Sequence, residues 1–382
     1  MKIRSIQAQP FRRERDTAAS TGTAGSPAKL LDGTSPYLWA ENYPVVYSRR
    51  FETALVRVEL DSGLVGWGEA QAPVAPEVAC AVVNNILSPV FEGAEFHGGA
   101  EEVENLWWRM YSAMRVRGQT GGFMLDGIAG VDIAMWDLAG KLAGLPLSAL
   151  IGERRERVPA YLSGLPAGDP RNVAAWADQG FSKVKIFHES SVEKLLANFD
   201  AVRSLLPLDG AVAVDALWRL TPDSARVLER DLADRSALWL EAPLAPESAR
   251  EHGELAADVV TPLAIGESYR TDFELAPFFD ARAMKFVQPD LGRTGITGAL
   301  RIARAAARFG VRVVPHVSIA LGPQIAAAIH FAAAVANCEM LEFNPNVLSV
   351  ANQYLESPIR LDGADWMVPE DAGLGIGMRL QG

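Results

Sequence analysis

Beyond residue 157 the chain alternates short apolar runs with longer amphipathic stretches, the runs falling at 158–163, 181–187, 211–215, 237–241, 262–266, 284–288, 312–315 and 339–343. Apolar runs of this length predict strands buried on both faces, and each gap between them is long enough for one helix. Asp169-Pro170 opens one such helix, which ends at Gly180, and Thr221-Pro222-Asp223 opens another. Each puts a capping side chain before a proline at the first turn. Eight strands with helices between them and no long structureless gap predict a closed parallel barrel, with a doubly wound open sheet as the runner-up.

The N-terminal part is patterned differently. Residues 2–10 alternate as a strand, and 53–60 turn at Asp61-Ser62-Gly63 into 64–70 as a hairpin would. Helical periodicity follows at about 75–91, 100–114 and 123–143, the last closed by Gly144-Leu145-Pro146. Residues 16–38 are rich in Ser, Thr, Gly and Ala and predict a mobile loop, either a lid over a site or an insertion without a role. Tyr37, Trp39, Tyr43 and Tyr47 would give such a lid an aromatic surface.

Polar groups recur with the strands. Lys185, Asp215, Glu241, Glu267, Asp290, His316 and Glu342 stand at or just past the ends of apolar runs, at intervals of 30, 26, 26, 23, 26 and 26 residues. That is the length of one strand-helix unit, so a barrel would bring all seven to one mouth. Three carboxylates on neighbouring strands, Asp215, Glu241 and Glu267, repel one another unless a cation lies between them. An all-oxygen donor set suits Mg²⁺, with Mn²⁺ as the alternative, rather than zinc.

Lys183 and Lys185 alternate to the same side of their strand, where each should lower the other's proton affinity and leave one able to act as a base. Asp290 beside His316 would fix the imidazole tautomer and form a second acid/base group across the barrel. Glu342 is expected either to donate a hydrogen bond to an oxyanion, if protonated, or to pair with a barrel lysine. Of the other histidines, only His188, in the loop after the second barrel strand, is within reach of such a site.

Composition narrows the partners. With 36 basic residues against 47 acidic ones the net charge is −11, and no basic cluster exceeds Arg12-Arg13-Glu14-Arg15. Nucleic acid and anionic membrane are therefore not expected partners. Cys80 and Cys338 lie in apolar surroundings without CxxC spacing and read as core residues of a cytoplasmic protein. The N-terminus has no apolar signal core, and residues 319–336 are broken by Gly322-Pro323, Gln324 and His330, so neither a signal peptide nor a membrane span is expected.

The run Gly130-Val131-Asp132-Ile133-Ala134-Met135-Trp136-Asp137-Leu138-Ala139-Gly140-Lys141 is followed by Lys183-Val184-Lys185, Val214-Asp215-Ala216, Glu241-Ala242-Pro243, Gly266-Glu267-Ser268, Gln288-Pro289-Asp290 and Pro315-His316. Together these motifs resemble the enolase superfamily, and the lysine with a His/Asp dyad resembles its mandelate racemase subgroup. The resemblance implies an α+β capping domain at 1–125, a modified TIM barrel, (β/α)7β, at 126–349, and a tail at 350–382 that packs back on the cap. It also implies abstraction of the proton α to a carboxylate, giving an enediolate stabilised by Mg²⁺.

By position, Lys185 and the His316/Asp290 pair would be the two acid/base groups, and Asp215, Glu241 and Glu267 the metal ligands. Lys183 would bind the substrate carboxylate, and Glu342 would flank the enediolate oxygen. Relatives commonly assemble, which implies a homo-oligomer acting on a small-molecule carboxylate. Leu217 stands where many relatives carry Asn, and Leu291-Gly292-Arg293-Thr294-Gly295 lacks the usual double glycine, so substrate identity does not transfer. Dehydration of a sugar acid to a 2-keto-3-deoxy acid is the favoured outcome. Racemisation, epimerisation or cycloisomerisation by the same groups is the alternative. A Schiff-base aldolase using Lys183 or Lys185 and a catalytically silent binding protein are rivals from other classes.

Overall fold

The computed structural model describes residues 1–14, 28–31, 35–40, 45–165, 171–188 and 191–379. The N-terminal part contains β1 (Ile3–Glu14), β2 (Ala28–Leu30), β3 (Tyr37–Ala40), β4 (Val45–Ser48), β5 (Arg50–Leu60) and β6 (Val65–Ala70). β1, β5 and β6 form one antiparallel sheet in that order, and β2, β3 and β4 another. The expected hairpin is present, with Gly63 in the left-handed region at φ 86°. Part of the expected lid is strand rather than loop, because the aromatic and β-branched residues of 37–40 and 45–48 pair across β3 and β4. Residues 16–27, 32–34 and Tyr43 lie outside the described residues, as does the Asp169-Pro170 helix start.

Three helical stretches follow as the periodicity predicts. The first runs from Glu77 to Phe91 through a single π-type turn at Val83–Leu87, and the second is Ala100–Arg115. The third, Gly122–Ala143, ends at Gly144 in the left-handed conformation. It lies hard against β6, where a Cβ on Gly68 would come within 1.9 Å of the Gly130 carbonyl oxygen. The buried Asp137 carboxylate on this helix accepts the Trp67 amide at 2.9 Å, Lys141 Nζ at 2.7 Å and the Leu374 amide at 2.8 Å. One side chain thus joins the sheet, the helix and the C-terminal tail. Five residues earlier, Asp132 takes the amide and hydroxyl of Thr297, on a helix outside the barrel.

The barrel strands are β7 (Arg157–Leu162), β8 (Lys183–Phe187), β9 (Ala211–Asp215), β10 (Leu240–Glu241), β11 (Leu263–Ile265), β12 (Phe286–Val287), β13 (Arg312–Val313) and β14 (Leu341–Phe343). They pair in parallel in sequence order, Val313 bridges to Cys338, and β14 pairs with β7 to close the ring. The tail adds β15 (Leu361–Asp362) and β16 (Asp365–Met367), the latter antiparallel to the start of β7. Thr221 caps its helix as expected, accepting the Ser224 amide. Tyr161, Ala213, Trp239, Ala264, Phe286, Val314 and Met340 form one buried cluster, large side chains interleaved with small ones as a filled barrel requires. Both cysteines are buried and unpaired, and no helix among the described residues is long and apolar enough to cross a membrane.

His330 fastens the tail. Its Nδ1 accepts the Ser148 amide at 3.2 Å, which leaves Nε2 to donate to the Leu374 carbonyl at 3.2 Å. Burial pushes its pKa down to about 4. The neutral ring is favoured in the fold, so its contribution is present above the unfolded value near 6.5 and is lost as pH falls towards 4. Urea unfolding is expected to lose roughly 3 kcal/mol from this group over that window. His330→Gln should flatten the acid limb, and an unchanged limb would assign the proton uptake to another group.

Candidate active site at the barrel mouth

β9 and β10 end on their carboxylates, with Glu241 paired directly to Asp215, while Glu267 follows β11 after Gly266. The chain bends sharply past these ends. Leu217 and Trp218 have φ of 56° and 58°, and Ala242 has 44°, values that cost non-glycine residues energy and collect at functional sites. Gly266, at φ 157°, lies so close to the next strand that a Cβ would sit 2.3 Å from the Gln288 nitrogen. These turns hold the acids at one height.

Lys185 is 2% exposed and lies among them. Its Nζ is 2.6 Å from Glu241 Oε1, 3.1 Å from Glu342 Oε1 and 3.7 Å from Asp215 Oδ2, above the Tyr161 ring. Burial opposes the charge, but Glu241 and Glu342 outweigh it and hold the ammonium proton more firmly than in water. The expectation that neighbouring lysines make Lys185 a weaker proton holder is therefore corrected for this arrangement, because three carboxylates crowd the ammonium. Lys183 is only half-buried and makes no hydrogen bond or ion pair with the described residues.

Glu342 is likewise ionised. Burial raises its pKa, yet Lys185 and His316 hold it down to about 2, so the protonated donor role is overturned and the pairing role is the one observed. Asp215 behaves oppositely, since burial and the charges of Glu241 and Glu267 drive its pKa far up. Glu241 Oε2 takes Trp239 Nε1 at 2.9 Å and Gln288 Nε2 at 2.7 Å, and Glu267 Oε1 takes Trp218 Nε1 at 2.8 Å. Among the described residues no three acidic, histidine or cysteine side chains converge on one point as a closed metal site. Each carboxylate is aimed at a donor of the chain. The donor set itself fits a hard divalent cation, being all oxygen with Asp215 in need of positive charge.

On the facing side, His316 Nδ1 and Asp290 Oδ2 are 2.7 Å apart, and His316 Nε2 is 3.1 Å from Glu267 Oε2 and 4.0 Å from Glu342 Oε2. Partial burial disfavours the charged ring, but Glu342, Glu267 and Asp290 raise its pKa to about 9. Lys185 and His316 thus flank the two oxygens of Glu342. His188 stands beside the site, its amide donating to the Asp215 carbonyl at 2.8 Å and its Nδ1 buried without a partner among the described residues. Among the described residues Arg293 forms no ion pair, and its Nε is buried without a hydrogen-bond partner.

Several participants escape the strand-end pattern. Trp239 precedes Glu241 by two residues, so strand alternation puts both on one face, and that signal was readable. Gln288 lies within the Gln-Pro-Asp motif, but nothing in the sequence aims it at Glu241. Trp218 and Gln324 carry no signal at all, being delivered by a loop and by a helix start.

Residues 170–381 match the family model described as Enolase C-terminal domain-like, and residues 40–152 that described as Mandelate racemase / muconate lactonizing enzyme, N-terminal domain. D-galactarolactone cycloisomerase of Agrobacterium fabrum is 32% identical over 350 residues, covering 86% of this chain and 90% of that protein. Arabinonate dehydratase of Saccharolobus solfataricus is 28% identical over 337 residues, covering 86% and 88%. A solved enolase-superfamily member from Agrobacterium tumefaciens superposes with a TM-score of 0.93 at 27% identity, over 99% of this chain and 96% of that one.

The electrostatic arrangement has a direct consequence. Replacing Lys185 by Met leaves the buried carboxylates without their cation and should cost about 3–5 kcal/mol of stability in chelator-treated buffer, measured by urea unfolding. Adding Mg²⁺ should return part of that loss, as a ligand of the folded state does. An unchanged midpoint would mean that Lys185 does not neutralise the cluster.

Proposed function

The chain belongs to the enolase superfamily, and we propose that its barrel mouth removes the proton α to the carboxylate of a sugar acid and expels the β-hydroxyl, giving a 2-keto-3-deoxy acid. The observation that carries this reading is the placement of two proton carriers, Lys185 and His316, on either side of Glu342. Asp215, Glu241 and Glu267 would hold Mg²⁺, the ion that suits their oxygens and that superfamily members use. Such an ion supplies a Lewis acid for the substrate carboxylate, where enediolate charge develops.

The chain's own groups divide the proton work. Asp290 fixes His316 with Nδ1 as the hydrogen-bonded nitrogen, so Nε2 faces the mouth. The raised pKa of His316 makes it the stronger candidate for the acid that protonates the departing hydroxyl, which leaves as water. Lys185 on the other side takes the α-proton once its own proton has left, its hold on that proton weakening as the carboxylates around it are neutralised, and the C–H electron pair passes into the enediolate. Lys183, without a hydrogen-bond or ion-pair partner among the described residues, is available to the substrate carboxylate. Burial of the mouth under the N-terminal sheet would exclude water, with residues 1–125 read as a cap, 126–349 as the barrel and 350–382 as a tail fastened to both. The reading makes the protein a cytoplasmic enzyme with a small carboxylate as its partner.

A second outcome is favoured by the relative named D-galactarolactone cycloisomerase, since the same two carriers suit proton removal followed by internal rearrangement of a sugar lactone. A Schiff-base aldolase, on Lys183 or Lys185, is disfavoured because it has no use for the three carboxylates, Asp215, Glu241 and Glu267, gathered at the strand ends.

A panel of aldonates, aldarates and their lactones with Mg²⁺, read by keto-acid formation, tests the proposal. Lys185→Met and His316→Asn are each expected to lower kcat by about 10²–10⁴-fold on the best substrate, and chelation should abolish turnover. Full activity in both variants would refute the assignment.

A further inference from the structure

Behind His316 lies a second layer of polar contacts. Asp290 is wholly buried and accepts three donors: His316 Nδ1 on Oδ2 at 2.7 Å, and the Gly292 amide and Gln324 Nε2 on Oδ1, each at 2.9 Å. Gln324 is also wholly buried, at the start of the Pro323–Ala334 helix. Its amide oxygen has no hydrogen-bond partner among the described residues, so the bond to Asp290 is the side chain's one polar attachment there. Gly292 makes room for it, since a Cβ at that position would lie 2.3 Å from Gln324 Oε1.

The backbone of Gln324 is fixed from the N-terminal sheet. Glu69, at the end of β6, accepts the amides of Leu321 at 2.6 Å, Gly322 at 3.2 Å and Gln324 at 3.2 Å, with the Thr53 hydroxyl at 2.8 Å. A carboxylate at a helix N-terminus is favoured by the unpaired amides it meets. A continuous path therefore runs from the sheet through Glu69 to Gln324, to Asp290 and to the imidazole.

We infer that Gln324 is a positioning residue for His316, locking the rotation of the Asp290 carboxylate so that Oδ2 faces Nδ1 and Nε2 is aimed into the mouth. A buried carboxylate with donors on both oxygens has one orientation. Removing the Gln324 amide leaves the Gly292 amide as the single donor on Oδ1, so the carboxylate turns more freely and the ring is held less firmly. The consequence for turnover rests on the proposed function, whereas the consequence for the ring does not.

Imidazole spectra of ¹⁵N-histidine-labelled full-length protein with Mg²⁺ alone test the geometry, the His316 Nδ1–H line being assigned by its loss in His316→Asn. In Gln324→Met, whose side chain keeps the length and loses the amide, that proton is expected to exchange with water at least about tenfold faster, with the other four rings unmoved. On the best sugar acid of the panel, kcat should fall about 10–100-fold with KM nearly constant, and Gln324→Met should cost nothing further in a His316→Asn background. An unchanged Nδ1–H line, or a full additional loss in that background, would overturn the inference. If no sugar acid is turned over, the functional reading fails while the ring measurement still decides this one. Should Gln324→Met not fold, Gln324→Asn, with its amide one methylene short, carries the same readout.

Discussion

The barrel mouth concentrates negative charge where water is scarce, and the site is arranged around the need to neutralise it. Asp215, Glu241, Glu342 and Asp290 are buried, with Glu267 beside them. Unpaired carboxylates in such a place would cost several kcal/mol each, so each must meet a cation, a donor or a proton. Here Lys185 and His316 provide cations, Trp218, Trp239 and Gln288 provide donors, and Asp215 is driven towards protonation. The same requirement makes the site receptive to a divalent ion, because oxygens that hold an ammonium can hold a metal instead.

This charge accounting links folding to chemistry. A lysine serves as base only when its proton affinity falls towards working pH, and in the arrangement described its neighbours raise it. In the proposed mechanism the balance between Lys185 and a metal for the same carboxylates would therefore set whether that base is available. His316 has no such competition for its Nδ1 partner, since Asp290 is fixed from behind. Lys185 and His316, the two proposed proton carriers, differ accordingly, one governed by the acids around it and the other by the scaffold behind it.

Much of this was legible in the sequence, for identifiable reasons. Parallel strands buried on both faces leave continuous apolar runs, and a barrel brings the ends of its strands to one mouth, so the periodicity located Asp215, Glu241, Glu267, Asp290, His316 and Glu342 together. The hairpin at Gly63 and the helix stop at Gly144 were equally readable, because left-handed positions select glycine. Protonation states were not, since they depend on which of several nearby charges lies closest. Lys185 illustrates this: its neighbour in sequence, Lys183, suggested a lowered proton affinity, and its neighbours in space reverse it. Gln324 reaches Asp290 from a helix start 34 residues away, a contact that no local pattern announces.

In the proposed reaction the α-hydrogen leaves as a proton to a group that exchanges with solvent. Mass spectrometry of the keto acid formed in D₂O with Mg²⁺ tests this most directly. Loss of the α-proton and reprotonation of the enol predict one solvent deuterium at C3 of the 2-keto-3-deoxy product. A product carrying only hydrogen at C3 would mean that the α-hydrogen migrates internally, and would contradict the assignment of Lys185 and His316 as proton carriers.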